Sequence, residues 1–507
     1  SSKKSAQITE IPVPILKDNL DIYITRLTEI INDSLKRGIF PNQLKFAEVC
    51  PIFKKNDFLD KENYRPISIL PQMSKVFERL IYKQIDTFMS SKFSDTLCGF
   101  RKKHNTQYSL IRMIETWKED LDKGNTIGVI IMDLSKAFDT INHGLLIAKM
   151  KAYGFSKSAL KMLISYLTNR PQRTNVNSHY SSWKNTKVGV PQGSILGPLL
   201  YNIFINDIFL FISDCSISNY ADDNTLFYSA KNIDLVKIKL KEQFLNLTSW
   251  FQNNYMVLNP GKCHYLCLGN QTNDIGIDLN GQFVKRSNEE KLLGVIIDEK
   301  LNFKSHISSL CRKTSSKINA LARISNFISF PQRRLIFKSI INAQFSYCPL
   351  IWMFCSRTSN NSLNHIQERT LRLTYGDYVN NYENLLELSG EITIHEKNLQ
   401  FLIFEIFKCI NSLSAPIMEN IFKTRTTNYS LRNWQELATQ NKKTVKYGLE
   451  TISYRGPQIW NLVPTHLKEP QSFNAFKRKI KSCWELKCPC RLCKTYIQNL
   501  GFIESIN

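Results

Sequence analysis

Apolar residues recur at three- and four-residue spacing over "LDIYITRLTEIINDSLKRG", which predicts an amphipathic helix stopped at Gly38. The pattern then breaks into shorter pieces. "KFAEVCPIFKK" reads as a strand with a basic end and "NYRPISILP" as a Pro-punctuated extended segment, after which helical spacing returns over residues 74–90 and 106–122. In "TIGVIIMDLSKAFDTINH" a β-branched run ends at Asp133 and the spacing turns helical, which would place Asp139 in a helix. A strand that delivers a polar residue at its C-terminal end mounts that side chain rigidly. Helices over 143–168 lead to short strands in "RTNVNSHYSSWKNTKVGV". "PQGSILGPLLYNIFINDIFLFI" then predicts a loop opening into a buried helix, with Ser194 as N-cap and Pro198 in the first turn. Two short β runs, "CSISNY" and "TLFYS", flank "ADDN" and predict a hairpin. A long helix over 232–254 and strands at "KCHYLCLG" and "KLLGVIID" follow. Beyond residue 300 the pattern is helical and basic, and beyond 410 it loses its period. The expected divisions are therefore an N-terminal helical extension (1–40), a mixed α and β region (41–300), a helical region (301–410) and a basic C-terminal region (411–507).

Charge narrows the class of partner. Lys and Arg outnumber Asp and Glu by 67 to 43 in a 507-residue chain, a net charge of +24 that suits a polyanion, with nucleic acid ahead of an anionic membrane. A hydrophobic content of 43% supplies cores and argues against a disordered chain. The nearest approach to a membrane span, "SIINAQFSYCPLIWMFCS", carries Asn342, Gln344 and Pro349 and reads as a buried helix and loop. The opening residues have neither an initiator Met nor the apolar stretch of a signal peptide, so the chain is expected to be a piece of a longer protein. Thirteen cysteines, an odd number without a secretion signal, point to reduced thiols and an intracellular setting, nuclear and cytoplasmic.

The chemistry centres on Asp222 and Asp223. Adjacent carboxylates repel and resist desolvation, so such a pair needs a cation, a proton or a solvated turn. A plain hairpin turn accounts for "ADDN" alone. If the strand ending at Asp133 pairs beside this hairpin, three carboxylates converge, and their hard oxygens suit Mg²⁺ completed by water and substrate phosphates. Two such ions about 3.5–4 Å apart can activate a 3′-hydroxyl and stabilise a leaving pyrophosphate.

"IIMDLSKAFDTINH", "GVPQGSILGPLLYNIFINDI" and "YADD", in this order, resemble the reverse transcriptases of non-LTR (LINE-type) retrotransposons, particularly the jockey-like group. "FPNQLKFAEVCPIFKKNDFLDKENYRPISILPQMSKVFERLI" and "CGFRKKHNTQYSL" resemble that family's fingers, "LNPGKCHYLCLG" a following palm strand and "KLLGVIID" its primer grip. The resemblance implies an α+β, right-hand polymerase fold of fingers, palm and thumb, with an antiparallel palm sheet and a mainly helical C-terminal region. It implies an RNA-directed DNA polymerase that adds dNTPs to a primer 3′-hydroxyl on an RNA template, in target-primed reverse transcription with target DNA as primer. The alternatives are an inactive or domesticated nucleic-acid-binding protein with the same fold, and an RNA-templated RNA polymerase. Too few residues precede the fingers for the endonuclease such elements carry, which is expected elsewhere in the element's protein. No membrane partner is expected.

By the same resemblance Asp133, Asp222 and Asp223 are the catalytic acids and ligands of two Mg²⁺ ions, for which Mn²⁺ can substitute, with the Leu134 backbone carbonyl as a further oxygen. Asp139 is expected to serve in local capping or ion pairing. Phe138 matches an aromatic that excludes a 2′-hydroxyl, with a core phenylalanine as the alternative. Gln192 and Gly193 match a loop lining the nucleotide pocket, where Gly189 and Gly197 also allow close backbone approach. Arg65 with Lys54 or Lys55 matches a triphosphate clamp, and Lys262 a lysine that protonates the leaving pyrophosphate. In the tail, Cys483, Cys488, Cys490 and Cys493 are candidate Zn²⁺ ligands, although the run has no histidine and contains a Cys-x-Cys step.

Overall fold

The computed structural model describes residues 13–258, 260–269, 274–423, 436–469, 472–483, 488–490 and 492. Contacts divide the chain into two compact units that interleave along the sequence. The first holds Ser1–Phe100, Met132–Asn224 and Glu242–Lys262; the second holds Arg101–Ile131, Thr225–Lys241 and Cys263–Asn507. Among the described residues no helix is long and apolar enough to cross a membrane.

In the first unit the amphipathic pattern near the N-terminus forms the helix Leu20–Arg37, and Gly38, left-handed at φ 67°, returns its N–H to Ser34 and Leu35 carbonyls. Strands β1 (Ala47–Phe53) and β2 (Tyr64–Ile69) pair antiparallel, with Glu48 opposite Ile69 and Phe53 opposite Tyr64. The helix Gln72–Met89 follows. Strand β3 (Thr126–Ser135) crosses from the second unit into the first, and β4 (Arg170–Val176) lies parallel to β1, with β5 (His179–Tyr180) and β6 (Lys184–Thr186) as antiparallel partners of β4. Helices His143–Ala152 and Lys157–Leu167 separate β3 from β4, each started by a side-chain cap, Asn142 and Ser156. The apolar run after the "PQG" loop is the helix Gly197–Ile205, every described side chain of which except Pro198 is buried. Strands β7 (Ser216–Tyr220) and β8 (Asp223–Ala230) flank a two-residue loop, and in the strand order β8 lies between β3 and β7. The short β9 (Val257–Leu258) pairs with the end of β3.

Three local expectations change. Strand β3 runs past Asp133 to Ser135, because Leu134 and Ser135 pair with Leu258 and Val257. Asp139 then sits in turns rather than a helix: its N–H bonds to the Lys136 carbonyl, and the next helix waits for the Asn142 cap. Ser194 is not the N-cap, which is Leu196; its Oγ nevertheless accepts the first helical N–H, from Gly197, at 2.9 Å.

In the second unit, β10 (His264–Leu268) pairs antiparallel with Ile127–Ile131 of β3 and parallel with β12 (Gln282–Ser287), which also pairs with β11 (Gly276–Leu279). The sequence pattern had not disclosed β11 and β12. "KLLGVIID" is a hairpin of β13 (Glu289–Leu292) and β14 (Val295–Asp298) rather than a single strand, turned at Leu293 and Gly294 with positive φ. The helices Lys304–Ile324, Arg357–Tyr375 and Ile394–Ile410 follow. The tail has more order than its periodicity suggested. Glu115 on the helix Thr106–Asp122 accepts the N–H groups of Ile452 and Ser453 at 3.1 and 2.9 Å, and so starts the helix Ile452–Asn461. Asp122 likewise accepts from Lys443 and Thr444 N–H.

Candidate active site

The hairpin that carries Asp222 is built under restraint. Ala221, the first loop residue, has φ 59°, a left-handed value that a non-glycine adopts only at a cost. Its surroundings hold it there. Tyr201 Oη and Asn219 Nδ2 both donate to the Ala221 carbonyl, at 2.9 and 2.8 Å, and Asn224 Nδ2 reaches the Asp222 carbonyl at 3.2 Å. Gly99 lies so close beneath that a Cβ on it would come within 2.4 Å of the Ala221 nitrogen. With the turn fixed, Asp222 is exposed and Asp223 opens β8 half-buried.

Asp133 belongs to the same cluster. The Asp223 carboxyl is pushed up to about 6, first by burial and then by the negative charges of Asp222 and Asp133, with Lys54 acting in the opposite sense. Pairing of β9 with Leu134 and Ser135 brings the turn Pro260–Lys262 beside β3, and Lys262 Nζ comes to 3.2 Å from Asp133 Oδ2. Asp133, Asp222, Asp223, Lys262 and Lys54 are thus one electrostatic group. Its donors are hard carboxylate oxygens, and their crowding is what a divalent cation relieves, so the cluster fits Mg²⁺ in both charge and ligand type. Leu134, the next residue on β3, contributes a backbone carbonyl to the same strand segment.

The residues expected to line a nucleotide pocket, Gln192 and Gly193, pack against β2. The Ser68 N–H donates to the Gln192 carbonyl at 2.7 Å, and a Cβ on Gly193, at φ 126°, would lie 2.5 Å from the Ser68 carbonyl oxygen. Only glycine lets this loop seat on the strand that carries Arg65. Gln192 Nε2 donates to both carboxylate oxygens of Asp139 at 3.0 Å, which replaces the expected capping role of Asp139 with a loop-to-loop tie. Burial raises the Asp139 carboxyl, against the pull of the Gln192 hydrogen bond and the Lys136 charge. Phe138 stacks on Tyr201 at 4.8 Å between centroids and meets Phe100 edge-on, a packed aromatic whose half-exposed ring is held by the residue that also holds the acidic turn. Lys54, Lys55 and Arg65 are exposed, and the Lys54 charge acts on Asp223. A cavity of about 330 Å³ is lined by Ser68, Asp139, Arg170, Gln172 and Gln192 among others, and by none of the three acids.

Two supporting residues escaped the sequence reading. Glu78 is fully buried, and its carboxylate accepts from the N–H groups of Ile195 and Leu196 at 2.6 and 3.1 Å, which pins the loop at the start of the helix Gly197–Ile205. Burial raises its pKa, opposed by these same bonds. Tyr201 looked like one apolar residue in a buried run. A polar or aromatic residue inside such a run is the signal that could have found both.

The tail cysteines are only partly described: Cys493 and the side chain of Cys483 lie outside the described residues. Cys488 and Cys490 are buried and come together with a histidine from far upstream, His395.

Residues 52–297 match the family described as reverse transcriptase (RNA-dependent DNA polymerase). The chain is similar to the RNA-directed DNA polymerase from mobile element jockey of Drosophila funebris, 31% identical over 72% of this chain and 41% of the relative. It is also similar to the probable RNA-directed DNA polymerase from transposon BS of Drosophila melanogaster, 28% identical over 73% of this chain and 42% of the relative. It therefore spans about two fifths of the length of these curated relatives. An apo telomerase structure from Candida tropicalis aligns over 76% of this chain and 68% of its own at 13% identity and a TM-score of 0.40, too distant to carry an argument. The expected blocks, from Ile52 of "PIFKK" to Ile297 of "KLLGVIID", fall inside the matched span, and over these residues the chain carries a reverse transcriptase domain of the non-LTR, LINE-type retrotransposon kind.

Proposed function

We propose that the chain is an RNA-directed DNA polymerase that joins dNTPs to a primer 3′-hydroxyl on an RNA template. The observation that carries this is the convergence of Asp133, Asp222 and Asp223, seen in the mutual charge effect on Asp223 and the Lys262–Asp133 pair. The three acids, with the Leu134 carbonyl, would hold two Mg²⁺ ions, or Mn²⁺ in their place. Bound there, the ions supply activation of the primer hydroxyl and neutralise charge on the pyrophosphate. Lys54 and Arg65 bind the triphosphate, Arg65 by bidentate donors and Lys54 as a point charge, and Lys55 adds to the field. Phe138 blocks a 2′-hydroxyl, while Gln192 and Gly193 form the wall of the nucleotide pocket. Lys262 holds a proton on Nζ within reach of the acids and gives it to the leaving pyrophosphate.

Residues 41–300 would act as fingers and palm and 301–410 as thumb, gripping the template–primer backbone through charge. The natural reaction is target-primed reverse transcription of the element's RNA, with genomic DNA as primer and an endonuclease domain elsewhere in the element's protein. The test is primer extension by the purified chain on an RNA template with Mg²⁺. Incorporation of dNTPs is expected. Incorporation of rNTPs alone would turn the reading to an RNA polymerase, and binding of template–primer without incorporation to a domesticated binding protein.

A further inference from the structure

Three buried side chains of the second unit, none of them near the acid cluster in sequence, lie in one place. His395 Nε2 and the sulfurs of Cys488 and Cys490 are all within 4.8 Å of one another, and all three residues are buried. Cys490 Sγ stands 3.4 Å from His395 Nε2 although the residues are 95 apart in sequence. Tetrahedral zinc, with Zn–S near 2.3 Å and Zn–N near 2.0 Å, sets a sulfur and a nitrogen ligand about 3.5 Å apart. The observed separation is therefore the one a shared ion would impose.

The backbone is arranged for thiolates. The Cys490 N–H donates to Cys488 Sγ at 3.4 Å, a bond that favours the charged sulfur a metal needs. His395 sits on a rigid element: Thr393 and Glu396 form a reciprocal capping box that starts the helix Ile394–Ile410. Burial decides between metal and reagent. Cys490 has no exposed surface and cannot serve as a nucleophile, and an ordinary core does not bring two thiols of a Cys-x-Cys step onto one imidazole.

We propose that His395, Cys488 and Cys490 provide three ligands of a structural Zn²⁺ site that fastens the C-terminal segment to the start of the helix Ile394–Ile410. This replaces the expected four-cysteine tail knuckle with a site whose ligands come from two distant parts of the chain. It also gives the ion a purpose: it closes a long loop, which a chain without disulfides among its described residues cannot do covalently. The site is independent of the polymerase reading.

The test uses the full chain, purified without added chelator, and measures zinc by elemental analysis and, after exchange, the cobalt absorption spectrum. About one zinc per chain and a cobalt spectrum of tetrahedral type with thiolate charge transfer are expected. His395→Ala, Cys488→Ser and Cys490→Ser should each lose the metal, and Cys483→Ser and Cys493→Ser should retain both signals. A wild-type chain that holds no zinc and gives no thiolate band overturns the proposal. So does retention by His395→Ala together with loss in Cys493→Ser, which would restore the tail knuckle. Should the variants fail to fold, the wild-type cobalt spectrum still decides, since a site with two cysteine sulfurs and an imidazole nitrogen differs from one with four sulfurs.

Discussion

The acidic turn of the first unit and the histidine–cysteine cluster of the second are both groups of metal-competent side chains, yet they are assembled in opposite ways. At the turn, two of the three acids are sequence neighbours and the third lies near the end of an adjacent strand, so short-range pairing does most of the work. The cluster joins residues 95 apart, and its chemistry exists only once the tail has folded back. The first is half open, its members exposed or half-buried, as the proposed exchange of substrate would require. The second is buried, as a site that only holds structure can be. Burial and sequence separation together distinguish a catalytic metal site from a structural one.

The contrast can be broken most strongly at Asp222. Asp222→Ala should lower dNTP incorporation by a factor on the order of a thousand or more with folding unchanged, because it removes a charge that acts in the transition state; thermal melting alongside single-turnover extension checks both halves. Gly193→Ala comes next. A Cβ there meets the Ser68 carbonyl oxygen at 2.5 Å, so the loop must lift from β2, and the KM for dNTP should rise by roughly tenfold with a smaller fall in kcat. Phe138→Ala should relax the preference for dNTP over rNTP by about tenfold or more while losing the stack on Tyr201, and competition assays with paired nucleotides read this directly.

The smallest effect concerns the second unit. His306 is held down to about 4 by burial and by Lys313 and Lys291, and its Nδ1 accepts the Ile296 N–H at 3.3 Å. A histidine depressed in this way stays neutral in the folded chain while the unfolded chain takes up a proton. Its stabilisation is full above about pH 6.5 and is lost as the pH falls from there to about 4, on the order of 3 kcal/mol. Urea unfolding across that range should show the slope, and His306→Gln should flatten it.

What the sequence disclosed follows the same division. Amphipathic spacing gave the helices Leu20–Arg37, Gln72–Met89 and Thr106–Asp122 nearly to the residue, because each has one apolar face and a clear stop. Asp222 and Asp223 were legible because like charges in an apolar setting demand an explanation. Asp139 was misplaced because β3 is prolonged by pairing with β9, an interaction between distant segments that local periodicity does not record. Glu78 and Tyr201 act by hydrogen-bonding backbone groups 117 and 20 residues away respectively, and no spacing rule sees such a bond. His395 was invisible for the same reason: nothing near it in the chain marks it as a ligand.

The acid cluster itself is tested most directly by Fe²⁺ bound in place of Mg²⁺, with ascorbate and peroxide, and by mapping where the backbone is cut. Cuts near Asp133 and near Asp222 and Asp223, suppressed by excess Mg²⁺ and lost in Asp222→Ala, are the predicted result. Cuts confined to other acids, or cuts at this turn that Mg²⁺ does not suppress, would contradict the account.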